Sequence, residues 1–483
     1  MIALIIAAIG FLAVLYCLGI APYWKLTPDS VSYVQAAQSL AAGKGYRQSG
    51  VPTQLYPPGT SAIFAVGWLV GRGSYRVLNA EVAIFTLGAM GICFLLFRRI
   101  LGSLPAAIVV LMCLGSFSVF DSTTYLLSDN FYLFFSLLAL YLHQRSSISA
   151  DAASALACTA SCMTRLVGFT LGVALFIDCL GTRSHRLRRL LFASIPLVFV
   201  ALWELRDYLS GQDYLTLSLE KEPYVPAHGW IAVAGMLARI AGNSRSLRDV
   251  FWDIVTNGHP AYPLVFMGMV VLLGLGFRRL IVRGYIALAI YLGLYLLVAL
   301  AFCPEFPTRY CLPLLPLIFG CLMQGVQWLA DKLPTRGRQL VFALFGIFVC
   351  LYLREGVRMI TVWVPMERSS PFPGQSVKFP ENYALQEFGI WMKNHSAPGD
   401  KYVFIHPLLM NVITERAGIA YPFTDDRDAL EGALRREQVR YAFVDMDRVE
   451  DRQMLLPALN KSGHYRLVKE KPRAKLFEFD AQP

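Results

Sequence analysis

The chain is a succession of long apolar runs broken by short polar turns. The runs near residues 2–22, 76–97, 103–120, 129–143, 152–164, 166–180, 190–206, 262–277, 285–302, 311–330 and 339–358 each read as a helix crossing a bilayer, which takes about 20 residues. Two of them are short, and the break at Met163-Thr164-Arg165 predicts a tight hairpin between them. The apolar stretch 60–70 is too short to span, so it reads as a half-helix dipping into the outer leaflet. Beyond about residue 360 the pattern changes. Lys401–Ile405 alternates like a strand, Pro407–Ala417 is helical with Gly418 as its stop, and Asp426–Glu437 is helical. Arg440–Val444 then reads as a strand and Tyr465–Phe479 as a hairpin. The expected fold is a polytopic α-helical membrane protein of about 11 transmembrane helices over 1–360, with outer loops 23–75 and 207–261. A soluble α/β domain follows at 361–483.

Composition supports the membrane reading. Hydrophobic residues make up 56% of the 483 positions and charged ones 16%, against about a quarter charged in soluble domains. The first run lacks a basic leader and a small-residue cleavage site, and Tyr23-Trp24 follows it as an aromatic anchor, so a retained helix is expected rather than a signal peptide. The net charge of +11 does not call for a nucleic-acid partner, because the basic residues cluster between apolar runs. With the amino terminus inside, Arg98-Arg99, Arg145, Arg183 to Arg189, Arg278 to Arg283 and Lys332 to Arg338 fall on the cytoplasmic side. The short outer turns carry only Arg165 and Arg309, the asymmetry of the positive-inside rule. The ten cysteines lie in or beside apolar segments and none follows Cys350, which argues against a disulfide framework. Cys158 and Cys162 share an apolar helix face, where packing is the expected role.

On this topology the polar mass sits on the outer side, together with an acid just past the first helix. In Thr27-Pro28-Asp29-Ser30-Val31-Ser32-Tyr33, Thr27 suits a helix cap and Pro28 the first helical position. Asp29 then falls in the first turn, where the helix dipole favours its anion. Gly43 ends that helix. Tyr33, Ala36, Ala37 and Leu40 share one face, which predicts an amphipathic helix lying in the interface. Then follows Tyr56-Pro57-Pro58-Gly59, opening the short apolar segment.

Pro-Asp-Ser-x-x-Tyr, the short helix, Gly43-x-Gly45-Tyr46 and Tyr-Pro-Pro-Gly together resemble the first extracytoplasmic loop of GT-C glycosyltransferases. The likeness is to the family 39 type, which includes protein O-mannosyltransferases and the aminoarabinose transferases of lipid A. The resemblance implies an inverting transfer of sugar from a polyprenyl phosphate to an acceptor hydroxyl outside the cytoplasmic membrane. Asp29 matches the proposed base of that family. Asp129 in Leu126-Leu127-Ser128-Asp129-Asn130 matches its second outward acid, and Arg309-Tyr310 before Leu312-Pro313-Leu314-Leu315-Pro316 is similar to its late-loop motif. Residues 1–360 would then be the catalytic domain, and 361–483 a structural or acceptor-contacting one.

The chemistry needs a carboxylate for the acceptor proton and cations for the leaving phosphate. The outward candidates for the phosphate are Arg309, Arg165, Arg76 and Lys25, and Tyr33, Tyr56 and Tyr310 are the expected substrate contacts. Each has a plainer role open to it. Arg76 and Lys25 suit helix ends at the headgroups, Arg309 could pair with Glu305, and Asp129 or Asp121 could be an ordinary helix start. Glu81, inside a crossing segment, is costly there unless paired or beside a cavity.

Family 39 chains often carry an acid or a lysine just before the paired prolines, where Gln54, Leu55 and Tyr56 stand here. The seven histidines lack ligand spacing, and His228 and His259 are those in the middle outer loop. No cofactor is assigned, and dependence on a divalent metal is left open. The expected partners are a polyprenyl-phosphate-linked sugar, an acceptor lipid, glycan or protein, and the surrounding membrane lipids. Two other classes stay open at this point: a transporter or flippase of lipid-linked saccharides, and a catalytically silent assembly subunit.

Overall fold

In the computed structural model, residues 2–48, 50–53, 56–181, 185–210, 229–257, 263–302, 308–368, 376–422 and 426–479 are described. Gln54, Leu55, Arg183, His228, His259, Cys303 and Glu305 lie outside them. The chain divides into two compact units, Met1–Ala21 with Ala36–Ser369 and Pro22–Gln35 with Ser370–Pro483.

The first unit is helical. It runs from α1 (Ile2–Leu18) to the second half of α2 (Pro28–Ala41), then a small hairpin of β2 (Arg47–Gln48) and β3 (Val51–Pro52), where β1 is reserved for Trp24–Lys25 in the other unit. Next come α3 (Gly59–Val70), α4 (Tyr75–Leu101), α5 (Ser103–Leu114), α6 (Phe117–Ser122), α7 (Asp129–His143) and α8 (Ile148–Thr164). A 3₁₀ turn, Leu166–Gly168, leads into α9 (Phe169–Gly181) and α10 (Arg186–Leu209). They are followed by α11 (Gly229–Thr256), α12 (Pro263–Val282) and α13 (Ile286–Phe302). A 3₁₀ segment, Thr308–Leu314, then opens α14 (Leu315–Lys332) and α15 (Thr335–Arg368).

Every apolar run read from the sequence is helical. Among the described residues, Tyr75–Leu101, Thr308–Lys332 and Thr335–Arg368 are long and apolar enough to cross a membrane. Ala3–Leu18, Gly59–Val70, Ser103–Leu114, Leu166–Gly181 and Ile286–Ala301 are shorter apolar helices. Missed by the sequence reading is α11, which occupies much of the segment taken as outer loop 207–261. Its arginines 239, 245 and 248 disguise the helical period, yet Arg239 and Asn243 are buried.

Small residues bring the helices of this unit together. A Cβ on Gly276 of α12 would overlap the carbonyl oxygen of Cys321 in α14, and one on Gly325 would overlap that of Leu272. Two backbones approach this closely only where side chains are absent. At the end of α11, Asn257 adopts a positive φ of 52°. Its side chain accepts from Phe117 N–H at 3.1 Å and donates to the carbonyls of Gly115 and Tyr352, both at 3.0 Å. One buried amide thus ties α11 to the α5–α6 turn and to α15.

The second unit combines the beginning of the first loop with the tail. β1 (Trp24–Lys25) pairs in parallel with β4 (Val377–Lys378), and Lys378 Nζ donates to the Tyr23 hydroxyl at 3.2 Å. The tail carries α16 (Tyr383–His395), β5 (Lys401–Val403), α17 (Pro407–Thr414), β6 (Gly418–Ile419), α18 (Arg427–Arg436), β7 (Val439–Asp445), α19 (Leu456–Ser462), β8 (Tyr465–Lys471) and β9 (Ala474–Phe479). The sheet order is β6-β5-β7-β9-β8, with β5 parallel to β6 and β7, and β9 antiparallel to β7 and β8.

The α/β pattern of the tail appears as read, with one correction. The helix at 407 ends at Thr414 on Glu415, whose φ is 54°, and Gly418 is not its stop but part of β6. There the Tyr402 ring fills the space a Cβ would need.

Candidate functional site

The start of α2 is built as a reciprocal cap. Thr27 Oγ1 accepts the Ser30 N–H at 3.1 Å, and the Thr27 N–H donates to Ser30 Oγ at 2.9 Å. Trp24 Nε1 adds a further donor to the same oxygen at 3.0 Å. Ser30 is therefore a hub that the sequence reading passed over, although a polar residue three positions after Thr27 is the capping-box signal. The cap fixes Asp29 in the first turn, half-buried, beside the positive end of the helix dipole. The interfacial picture of this helix does not hold. Ser30 to Val34 are consecutively buried, as are Ala36 and Ala37, so its first two turns lack a polar outer face. Tyr33 is buried with them, and Lys25, in β1, is 1% exposed.

A second group of candidates converges within the helical unit. Asp129 opens α7, and Arg165 sits in extended conformation (φ −147°) where α8 ends. Arg165 Nη1 is paired with Asp129 Oδ1. The guanidinium of Arg165 also lies 5.1 Å from the centre of the Tyr310 ring, and that of Arg309 lies 5.4 Å from it. Four residues read separately from the sequence thus form one cationic cluster with a single aromatic plate. Asp129 is nearly closed off, its side chain 3% exposed against 13% for Arg165. Asn130 secures the end of α7 by donating to the Ser122 carbonyl at 3.1 Å. Beneath the cluster, Tyr132 and Tyr291 share a hydroxyl hydrogen bond of 2.9 Å, a buried pair the sequence did not signal.

The Tyr-Pro-Pro-Gly motif packs against the same hairpin. Thr60 Oγ1 donates to the Thr164 carbonyl at 3.3 Å, and a Cβ on Gly59 would come within 2.6 Å of Met163 O. Glycine is needed here because α3 starts directly on the hairpin backbone. Gly168 serves the return of that hairpin, where a Cβ would stand 2.8 Å from Cys162 Cα. Tyr46 reaches over the motif and donates its hydroxyl to the Tyr56 carbonyl at 2.8 Å. Burial pushes the Tyr46 hydroxyl up to about 12, so it remains a donor at neutral pH. Phe64 of α3 and Phe131 of α7 meet edge to face at 5.2 Å, which couples the motif's helix to the one that begins with Asp129.

The other candidates lie elsewhere. Arg76 is exposed in the first turn of α4. Glu81 sits where α4 crosses α3, with its carboxylate in the space a Cβ on Gly67 would occupy. Its Oε2 is buried and makes no hydrogen bond among the described residues. Cys158 and Cys162 are buried in the helical core. No group of three His, Cys, Asp or Glu residues suited to a metal ion occurs among the described residues.

No family model matches the sequence, and no curated protein matches it. Solved structures do match the fold. ArnT from Cupriavidus metallidurans in the apo state aligns at TM-score 0.60 and 15% identity, over 98% of this chain and 97% of that one. The same protein bound to undecaprenyl phosphate aligns at 0.58 and 13%, over 98% of each chain. The oligosaccharyltransferase of Archaeoglobus fulgidus, in complex with Zn and sulfate, aligns at 0.60 and 11%, over 98% of this chain and 73% of that one. Across nearly its whole length, the chain therefore has the fold that ArnT shares with this oligosaccharyltransferase.

Proposed function

We propose that this protein is an inverting glycosyltransferase of the cytoplasmic membrane, moving a sugar from a polyprenyl-phosphate donor to an acceptor hydroxyl on the outer face. The observation that carries the reading is the full-length likeness in fold to ArnT, one of whose structures holds undecaprenyl phosphate. In this reading about 11 helices within 1–360 cross the membrane with the amino terminus inside. The first-loop segment, the middle outer segment and the domain 361–483 then lie outside.

The chemistry follows from the residue types. Asp29 takes the acceptor proton as the acceptor oxygen attacks the anomeric carbon. The carbon–oxygen bond to phosphate breaks on the opposite face, and its electron pair leaves with the polyprenyl phosphate. The negative charge that develops on the phosphate is met by Arg309. An arginine suits this role because its planar fork binds two phosphate oxygens at once. Arg165 is committed to Asp129, so we assign this pair to holding the Tyr310 plate and the Arg309 loop in position. Arg76, which is exposed, is a secondary phosphate candidate and Tyr56 and Tyr310 are substrate contacts, whereas Lys25 and Tyr33, expected in those roles, are buried and are assigned to holding the first loop.

The alternative, a flippase for lipid-linked saccharides, would use Glu81, the acid within α4. The two are separated by an assay in detergent micelles. A purified enzyme consumes a polyprenyl-phosphate sugar and glycosylates acceptors from an envelope extract. A flippase, with no second compartment to serve, leaves the donor intact, and that outcome would reject the transferase.

A further inference from the structure

At one end of the tail sheet, the starts of β5, β7 and β8 and the end of β9 surround an open cavity of about 730 Å³, within the roughly 300–1,000 Å³ of small-molecule sites. Its walls carry Lys401, Arg435, Arg440 and Arg466 against Asp400 and Glu478, with the half-buried Phe479 ring beside them. The two acids are largely engaged by one arginine. Arg440 Nη1 lies 3.2 Å from both Asp400 oxygens, and its Nη2 lies 3.2 Å from Glu478 Oε1. Tyr441 donates its hydroxyl to that same Glu478 oxygen at 3.1 Å. This network orients the Arg440 fork along the cavity wall.

The remaining cations face water. Arg466 is 69% exposed and only 3.5 Å from Glu478. Arg435 is 47% exposed and tied to Glu431 of its own helix at 2.7 Å, and Lys401 stands 3.6 Å from Glu437. Exposed surface pairs of this kind are weak, so a ligand carboxylate can replace the partner at little cost. The cavity therefore combines three exposed cations held by weak pairs, donors and acceptors suited to vicinal hydroxyls, and an aromatic ring at its margin.

We infer that this cavity is a binding groove for an acidic saccharide, recognised through its carboxylates by Arg435 and Arg466 and through a ring face by Phe479. Under the transfer reading above, it would hold part of the acceptor, but the binding itself does not depend on transfer.

The test uses the full-length protein in nanodiscs of zwitterionic lipid, titrated with hexagalacturonic acid and, separately, with neutral maltohexaose. The expected result is binding of the acidic hexamer at least tenfold tighter than the neutral one, weakening as NaCl is raised from about 50 to 500 mM. The double variant Arg435→Glu with Arg466→Glu is expected to lose at least tenfold in affinity while keeping its unfolding midpoint. If the double variant does not fold, the milder Arg466→Ala should still weaken binding severalfold. Equal affinity for the two hexamers, no binding of the acidic one, or unchanged affinity in the folded variants would overturn the proposal. Absence of sugar transfer by the parent protein, with saccharide binding intact, would count against the proposed function alone.

Discussion

Removing the charge of Asp129 should expose how much of the helical unit rests on one ion pair. Asp129 and Arg165 are paired with side-chain exposures of 3% and 13%, so neither is well solvated. Breaking such a pair from one side costs about 3–5 kcal/mol, because it strands the other charge. Two features reduce that figure here. In Asp129→Asn, Arg165 keeps the face of Tyr310 at 5.1 Å, worth about 0.5–2 kcal/mol, so a loss of about 2–3 kcal/mol is expected. In Arg165→Met the stranded carboxylate still lies in the first turn of α7. The helix dipole there offsets about 1 kcal/mol, and a loss of about 2–4 kcal/mol is expected. The double variant strands nothing and should lose only about 1–2 kcal/mol, which leaves a coupling of about 2–6 kcal/mol between the two sites. The assay is unfolding of the purified protein in mixed micelles, followed by tryptophan fluorescence, for all four members of the cycle. Losses that add within about 0.5 kcal/mol would refute the pairing.

Other changes carry equally definite outcomes. Gly59→Ala should lower the thermal midpoint and sugar transfer together, since its Cβ meets Met163 O at 2.6 Å, whereas Gly10→Ala, with nothing within 4 Å, should be neutral in both assays. Asn257→Ala removes the partner of one backbone N–H and two carbonyls and should cost about 1–3 kcal/mol in the same unfolding assay. In the tail, burial raises the Asp451 carboxyl from 3.8 to about 6. A raised acid binds a proton in the folded state that the unfolded chain has already released, so its contribution favours folding at low pH and is lost as pH rises toward 6. Native-state hydrogen exchange at β7, corrected for intrinsic rates, should report about 2 kcal/mol less protection at pH 7 than at pH 4 from this group. Asp451→Asn should flatten that slope.

What the sequence disclosed follows the range of the interactions involved. Apolar runs, the Thr27–Pro28 cap and the strands of the tail depend on neighbours a few residues apart, and they appear where expected. The meeting of Asp129, Arg165, Arg309 and Tyr310 depends on helix packing across a separation of 181 positions; the family resemblance had named Asp129, Arg309 and Tyr310 and the phosphate chemistry Arg165, but nothing local placed the four together. Three features were not legible. The arginine-bearing α11 hides its period because its buried polar residues, Arg239 and Asn243, break the apolar stripe. The pairing of Trp24–Lys25 with Val377–Lys378 joins two-residue strands far apart in the chain, which no local signal announces. The burial of the first turns of α2 comes from tertiary contacts, whereas the shared face of Tyr33, Ala36, Ala37 and Leu40 made the helix look amphipathic.

Asp29 carries the central claim, and sugar transfer by Asp29→Asn tests it most directly. The variant keeps the side chain's shape and the Thr27–Ser30 cap while removing the base, so the account predicts transfer from a lipid-linked donor to fall by about 10²–10⁴-fold. The thermal midpoint and donor binding should stay close to those of the parent protein. Transfer at the parent rate by the folded variant would contradict the account.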